Sequence, residues 1–467
     1  MGQRARILTS ILGFDGWKVK EAFFESASGE RVAPVGRLAM LRETRLVLVV
    51  ERRWLPRCSG CGGPCRGVHQ HLPARRWSDL PWAEHSVELR YAPVRVECPR
   101  CHASPVEMVA WADPYQRQSR RLQQWLAVEA ASMPVMHVAA LHGLSWLTVR
   151  RAEEQAIARW EATRPAVPLR QVGVDEKWLG RRHALDHKFV TIVSNLETGE
   201  PLWIGKGRDE NTLKRWLQSL SREQKAAITL VAMDMHRAYW NAVDNTRGLE
   251  HAAIVHDPFH VTKLAGQMLD ELRREVFFRA GSELRAIGRG KRWLLLRAWE
   301  RTSDSQKADL QTLLARNRTL ARAYQIKEEL RDVLHAPDRP AIEIGLQRIL
   351  RRTARRNVPA LRRLHDTLNE RWNEIVALAE HRPPVGRLEA LNNNWETLVR
   401  RARGYRDHNY LLRKLRFMTA NPIRNDDGIR RFLALGIGCG SIRAGPEAVG
   451  PFPTVSHVIE MGAPASR

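Results

Sequence analysis

The sequence predicts an α/β multidomain protein in which a cysteine-rich module and a helical module precede an α/β core that an all-helical insertion interrupts. Three observations predict it. Two Cys-x-x-C pairs, Cys58/Cys61 and Cys98/Cys101, lie ahead of any long helical pattern. Near residue 170 the apolar period switches to 2, and Gln171–Trp178 delivers an acid, Asp175, at the end of alternating valines. After residue 262 strand character disappears until a last amphipathic helix over 388–402.

The chain has 467 residues, with 76 Lys and Arg against 51 Asp and Glu, a formal charge of +25. The cations are spread along the chain, which points to a polyanionic partner, nucleic acid above all. No apolar run approaches the ~20 residues of a membrane span, so no membrane is expected as a partner. The basic N-terminus precedes only a short apolar piece, a poor fit to a secretory signal. Five of the six cysteines fall between Cys58 and Cys101, a clustering that suggests metal rather than disulfides. The expected location is cytoplasmic, nucleoid-associated in a prokaryote.

Residues 1–50 read as a lead-in with one strand candidate at 46–50. Residues 51–110 read as a zinc ribbon: each knuckle turns two thiolates toward one tetrahedral cation, and Cys58, Cys61, Cys98 and Cys101 complete four-coordinate Zn²⁺. The 36 residues between Cys61 and Cys98 exceed the usual finger spacing and hold an alternating segment at 86–96. Cys65, His69, His71 and His102 are substitute ligands; Cys439 stands alone. Residues 111–165 predict a helix-turn-helix, with Gly143 at the turn and Ser145 capping the second helix. That helix would carry Trp146, Thr148, Arg150 and Arg151 to DNA.

Residues 166–262 predict the first part of the core. Strands at 171–175, 189–194 and 201–204 precede a helix at 210–220, a strand at 228–233 ending on Asp234, a helix at 236–243 and a strand at 252–255. Three strands, then helix, strand, helix, strand is the order of an RNase H-like core. Two strand-end acids and a third far downstream are what a two-metal phosphoryl-transfer site needs. Residues 263–382 read as the helical insertion. Residues 383–420 hold the core's final helix and a basic segment. Leu388, Leu391, Trp395, Leu398 and Ala402 form its apolar stripe, flanked by Glu389, Asn393 and Glu396; periodicity leaves Glu389 and Glu396 both open as the third acid. Arg400, Arg401, Arg403 and Arg406, with Tyr405, Tyr410 and Phe417 interleaved, suit a phosphate backbone and its bases. Residues 421–467 read as a loosely ordered tail.

These pieces, in this order, resemble the ISL-three type of bacterial insertion-sequence transposases, which carry a DDE catalytic core of RNase H-like fold. The resemblance spans residues 45–420 and rests on the cysteine knuckles, Gly143-Leu-Ser-Trp146 with Thr148-Val149, Val174-Asp175-Glu176 and Asp234-Met-His-Arg-Ala-Tyr239. It continues through Asp257-Pro-Phe-His260, Glu389-Ala-Leu-Asn-Asn393 and Arg401-Ala-Arg-Gly-Tyr405. It implies Asp175, Asp234 and Glu389 as the catalytic acids, holding Mg²⁺ or Mn²⁺, and ranks Glu389 above Glu396. Ala390 and Asn394-Trp395 depart from the family's usual glycine and lysine. Asp257, His260 and Asn393 are implied to lie near the site without an assigned role. The implied partners are terminal-repeat and target DNA, bound by a homodimer or larger assembly, and the implied activity is metal-dependent cleavage and strand transfer. The rivals are a catalytically inert DNA-binding regulator and a nuclease of the same fold that cuts without joining.

Overall fold

A computed structural model describes residues 3–33, 44–82, 85–165, 167–178, 188–279, 290–354, 358–384, 386–402, 405 and 407–436. The chain forms two compact units: Met1–Ala166 with Trp395–Arg467, and Val167–Asn394. No described helix is long and apolar enough to cross a membrane.

The first unit opens with helix α1 (Gln3–Leu12) and strands β1 (Trp17–Ser26), β2 (Arg31–Val32), β3 (Thr44–Arg52), β4 (Gly67–His71), β5 (Arg75–Trp82), β6 (His85–Tyr91) and β7 (Val94–Glu97). They make a five-stranded sheet, β2-β1-β3-β6-β5, and a two-stranded one, β4-β7. Residues 1–50 are therefore more than a lead-in. They supply three strands, and the long stretch between the knuckles leaves the cysteine module to add two more. Trp17, Trp77, Tyr91 and Trp111 fill the sheet's buried face, with Trp17 edge-on to Tyr91 at 4.7 Å. Three helices follow: α2 (Arg120–Ser132), α3 (Val135–His142) and α4 (Trp146–Glu161). Gly143 ends α3 at φ 62° and Ser145 caps α4 by accepting from the Thr148 N–H, so the expected turn is where its residues require it.

The second unit is built on β8 (Gln171–Trp178), β9 (Phe189–Asn195), β10 (Pro201–Lys206), β11 (Leu230–Met233) and β12 (Ala253–His256) in the order β10-β9-β8-β11-β12. The first three strands are antiparallel, whereas β11 runs parallel to both β8 and β12. Helices α5 (Glu210–Ser219), α6 (Arg222–Ala227) and α7 (Arg237–Asp244) connect β10 to β11 and β11 to β12. Alternation divides the sheet's side chains: Val172, Val174, Val231 and Met233 pack with Leu213, Trp216 and Tyr239 on one face. Leu230, Ala232 and Val255 pack on the other with Val261, Ala265 and Leu388. Beyond β12 the described residues are helical: α8 (Pro258–Arg279), α9 (Arg292–Leu296), α10 (Asp304–Ala315), α11 (Arg318–Leu334), α12 (Arg339–Thr353), α13 (Pro359–Glu370), α14 (Trp372–Val376) and α15 (Gly386–Ala402). The residues of α15 through Asn394 belong to this unit.

Two more helices return the chain to the first unit, α16 (His408–Ala420) and α17 (Asp426–Ala434). The expectation of a loosely ordered tail from residue 421 is thus corrected for its first part. Asn425 caps α17, and Phe432 is buried among Ala127, Trp160 and Phe417. Residues 437–467, including Cys439, lie outside the described residues.

Candidate functional site

Parallel register gathers the strand-end acids. Met233 pairs with Val174 on one side and with His256 on the other. The residues that follow, Asp175, Asp234 and Asp257, therefore stand side by side where β11 and β12 end; β8 itself does not end at Asp175, as the sequence suggested, but runs on to Trp178 paired with β9. The Asp257 N–H donates to the Met233 carbonyl (3.0 Å), which extends the ladder to the acid itself. Each aspartate also accepts a local backbone N–H: Asp175 from Glu176 (2.8 Å), Asp234 from His236 (3.0 Å) and Asp257 from Phe259 (2.8 Å). These bonds fix the carboxyl orientations before any ligand arrives.

Gly173 bears on where Glu389 lies. The glycine lies on the sheet face that packs α15, and a Cβ built there would meet the side-chain ends of Leu196 and Leu388 at 2.8 Å. Without that atom Leu388 seats directly on β8, and its neighbour Glu389 reaches the strand ends. Arg387 donates to the Leu196 carbonyl (3.0 Å) and pins the same helical turn.

Asp175, Asp257, His260 and Glu389 line a cleft of about 1270 Å³, whose far wall belongs to α9, α11 and the turns beside them. Asp234 is not among the lining residues; it is half-buried beside them. Asn392 lines the wall, whereas Asn393, the residue singled out in the sequence, faces solvent. Glu396 belongs to the other unit, where it pairs with Arg400 (2.8 Å). Sequence reasoning also missed Glu176, Lys177, Lys263, Arg297 and Arg301 on the cleft walls. Lys177 had a local signal, since it shares a strand face with Asp175 and pairs with it at 3.2 Å. Glu176 adjoins Asp175 on β8, whereas Lys263, Arg297 and Arg301 come from segments far along the chain and leave no spacing to read.

Burial pushes the Asp234 carboxyl above its ordinary range, and the nearby Glu176 carboxylate adds to the shift. Burial raises Asp257 as well, with Asp175 and Glu389 pushing the same way. In both cases the His260 ring and a backbone N–H oppose the rise without cancelling it. Beneath them the Tyr239 hydroxyl hydrogen-bonds Thr191 at 2.8 Å, and burial raises its pKa too. Clustered, raised carboxyls are a place where a hard cation would be welcome.

The cysteine cluster has a different geometry. Cys58, Cys61, Cys98 and Cys101 hold their sulfurs within 4.8 Å of one another. Two of the cross-knuckle distances are 3.5 Å (Cys61 to Cys98) and 3.9 Å (Cys58 to Cys101). A tetrahedral Zn²⁺ with bonds of about 2.3 Å needs sulfurs about 3.8 Å apart, so the donor set fits. Both knuckles point backbone N–H groups at sulfur, Gly60 to Cys58 (3.3 Å) and Cys101 to Cys98 (3.4 Å). The Cys101 N–H holds the Cys98 thiol down to about 6. Among the described residues no other group of three or more Cys, His, Asp or Glu comes so close. Cys65 is buried alongside, with its thiol on the Gly63 carbonyl (3.6 Å); His69, His71 and His102 are exposed.

On the helix-turn-helix, Trp146, Leu147 and Arg151 of α4 face solvent, and Thr148 is half-buried beside its Ser145 cap. Arg150 is engaged within the protein. Its guanidinium pairs with Glu154 (3.1 Å) and Asp407 and lies over the Tyr410 ring at 4.6 Å. The basic segment behaves similarly. Tyr410, Phe417 and Lys414 are buried rather than presented to bases; Lys414 pairs with the buried Glu153 at 2.7 Å, and Tyr410 donates to the same carboxylate. This corrects the reading of that segment as an interleaved nucleic-acid face: α16 is an amphipathic helix whose aromatic side packs against α4. Arg401 donates to the Ala131 carbonyl (2.6 Å), Arg400 is exposed, and Arg403 and Arg406 lie outside the described residues.

Comparison with known proteins agrees with this organisation. A family model described as a transposase matches residues 172–415, and one described as the helix-turn-helix domain of transposase family ISL3 matches residues 107–156. The chain is 28% identical over 415 residues to the transposase for insertion sequence element IS1001 of Bordetella parapertussis, covering 88% of this chain and 97% of that protein. It is 27% identical over 444 residues to the transposase for insertion sequence element IS1557 of Mycobacterium tuberculosis, covering 88% and 94%.

Proposed function

This chain belongs to the ISL3 family of insertion-sequence transposases, and from that premise we propose that Asp175, Asp234 and Glu389 are the acids with which it cuts DNA at the element ends and joins them to a target. The sheet order and direction support an RNase H-like core, with α8 to α14 as its helical insertion. The observation that carries the reading is the parallel pairing of β8 with β11, which sets Asp175 beside Asp234, together with the seating of Leu388 on Gly173, which brings Glu389 to them.

The reaction has two steps. Water attacks the phosphorus at the element end, and the bond to the 3′ oxygen breaks to leave a 3′-hydroxyl. That hydroxyl then attacks a target phosphodiester, forming one P–O bond and releasing another 3′-hydroxyl, so bonds balance without an external energy source. The carboxylates suit Mg²⁺ or Mn²⁺, which supplies Lewis-acid stabilisation to the attacking and leaving oxygens of such displacements. The protein's own part is to hold the acids in register through β8, β11 and α15, with the Lys177 ammonium and the His260 ring beside them. Cys58, Cys61, Cys98 and Cys101 would hold Zn²⁺ as a structural ligand set. Trp146, Leu147 and Arg151 on α4 are the side chains offered to terminal-repeat DNA. Two copies or more would hold the paired ends.

The test is cleavage and joining of DNA carrying the flanks of this chain's own gene, with Mg²⁺, by wild type and Asp175→Asn. Wild type should cut and join while the variant binds without cutting. Equal binding with no cutting by either, Mn²⁺ included, would favour an inert regulator. Cutting without joining of a pre-cut 3′ end would favour a nuclease.

A further inference from the structure

An unusually placed aromatic side chain sits at the rim of the acid cleft. Phe259 is 68% exposed, two residues beyond Asp257, and lines the cleft with Asp175 and Glu389. It is not a loose loop residue. Pro258 starts α8 with its φ already fixed, and Asp257 caps the Phe259 N–H at 2.8 Å. The His260 ring stands edge-on to it at 5.6 Å and 89°. The backbone beneath the ring is therefore fixed, and the ring itself is largely exposed to the cleft.

The cations around it divide into two kinds. Arg331 pairs with Glu300 and Glu328, and Lys327 binds the Leu295 and Arg297 carbonyls, so these serve the fold. Lys263, one turn beyond Phe259 on the same side of α8, is exposed, as is Arg301 across the cleft. Neither side chain has a hydrogen bond or ion pair among the described residues.

An exposed apolar ring on a fixed backbone, two unpaired cations and a set of acids in one cleft define a ligand by chemistry. The cations suit phosphates, and the acids suit the reacting phosphodiester through metal. The only ring-sized apolar surface a DNA strand offers is the face of a base, and in a duplex both faces are covered by neighbours. A base stacks on Phe259 only after leaving the helix. We propose that Phe259 is the platform for one nucleotide unstacked beside the scissile phosphate, with Lys263 and Arg301 holding the phosphates on either side of it. This rests on the transposase reading above and deepens it: the substrate is a locally opened strand end, not an intact duplex.

Two measurements test it with the full chain. On intact flank DNA, Phe259→Ala should cut about 10- to 100-fold more slowly, the range expected for one lost base stack. Phe259→Trp should retain activity. An abasic site or mismatch at the nucleotide beside the cut should bring Phe259→Ala back to within about threefold of wild type, because extrusion then costs little. An alanine variant that cuts intact DNA at the wild-type rate, or one equally slow on both substrates, overturns the proposal. Permanganate, which attacks a thymine whose face is uncovered, provides a readout independent of cutting. In the Asp175→Asn complex a thymine placed beside the cut should react, and adding Phe259→Ala should remove the reaction. Absence of any reactive flanking thymine overturns the platform whether or not wild type cuts, whereas failure of wild type to cut strikes the catalytic reading alone.

Discussion

The cysteine cluster and the acid cluster solve opposite problems. Four sulfurs already stand within 4.8 Å of one another, with backbone N–H groups aimed at Cys58 and Cys98. The acids arrive separately on β8, β11, β12 and α15, are not packed to metal-ligand spacing, and burial and mutual repulsion hold Asp234 and Asp257 above their usual range. The first site offers four converging donors, the set a tetrahedral Zn²⁺ fills completely. The second is open, carries unfavourable charge and leaves room for a substrate. The difference is that between a donor set suited to a metal that completes a fold and one suited, on the proposed reading, to a metal that takes part in a reaction.

Removing the cysteine metal should have the largest effect. Zinc binding in finger-sized modules is worth roughly 10–16 kcal/mol, so Cys98→Ser or a strong chelator should unfold the region around β4 and β7. Zinc content per chain and the thermal transition report it. A chelated protein with an unchanged transition would place the cluster among ordinary surface thiols.

Next in size is Gly173→Val, which adds bulk where even a Cβ meets Leu388 and Leu196 at 2.8 Å. Displacing α15 by an ångström should lower cutting at least roughly 100-fold, since misplacement of a catalytic group by that distance costs about that much. DNA binding should survive. Gly173→Val with wild-type cutting would mean that the seating of Leu388 does not position the site.

The smallest effect concerns pH. A carboxyl with a folded pKa raised above its unfolded value near 4 binds its proton more tightly in the folded state. Its destabilising contribution is absent at low pH, grows as pH rises through the folded pKa and is complete above it. Asp234→Asn and Asp257→Asn should therefore raise the melting temperature of metal-free protein, more at pH 7 than at pH 4. Mg²⁺ should raise that of wild type and act less on the variants. Variants less stable than wild type at pH 7 would reverse the sign of the account.

How much was legible follows the same division. Each knuckle is written within four residues, so spacing alone exposes it. Asp175 and Asp234 could be read as strand ends, but that they are neighbours depends on a parallel register between segments about 60 residues apart. Glu389 and Glu396 were inseparable by period because seven residues nearly complete two turns; of the two, Glu389, beside Leu388 on Gly173, is the one that lines the cleft. Of the strands in residues 1–50 only β3 was legible, as the candidate at 46–50; β1 and β2 pair with each other and β1 with β3, and β3 alone goes on to pair with β6 inside the cysteine module. The aromatics of α16 looked like a nucleic-acid face because arginines alternate with them, although a buried partner helix produces the same pattern. The signals for α17 were present in Asn425, Asp426, Asp427 and Phe432, a cap, two first-turn acids and a buried anchor.

The most direct measurement sets Glu389→Gln against Glu396→Gln in strand transfer on the same DNA, with binding measured in parallel. Loss of a metal-holding carboxylate removes several kcal/mol of transition-state stabilisation, roughly 1,000-fold in rate. Glu389→Gln should lose that much with binding intact, while Glu396→Gln, which breaks only an exposed pair with Arg400, should stay within about threefold. The reverse order, or two equally active variants, would contradict the assignment of the acid site.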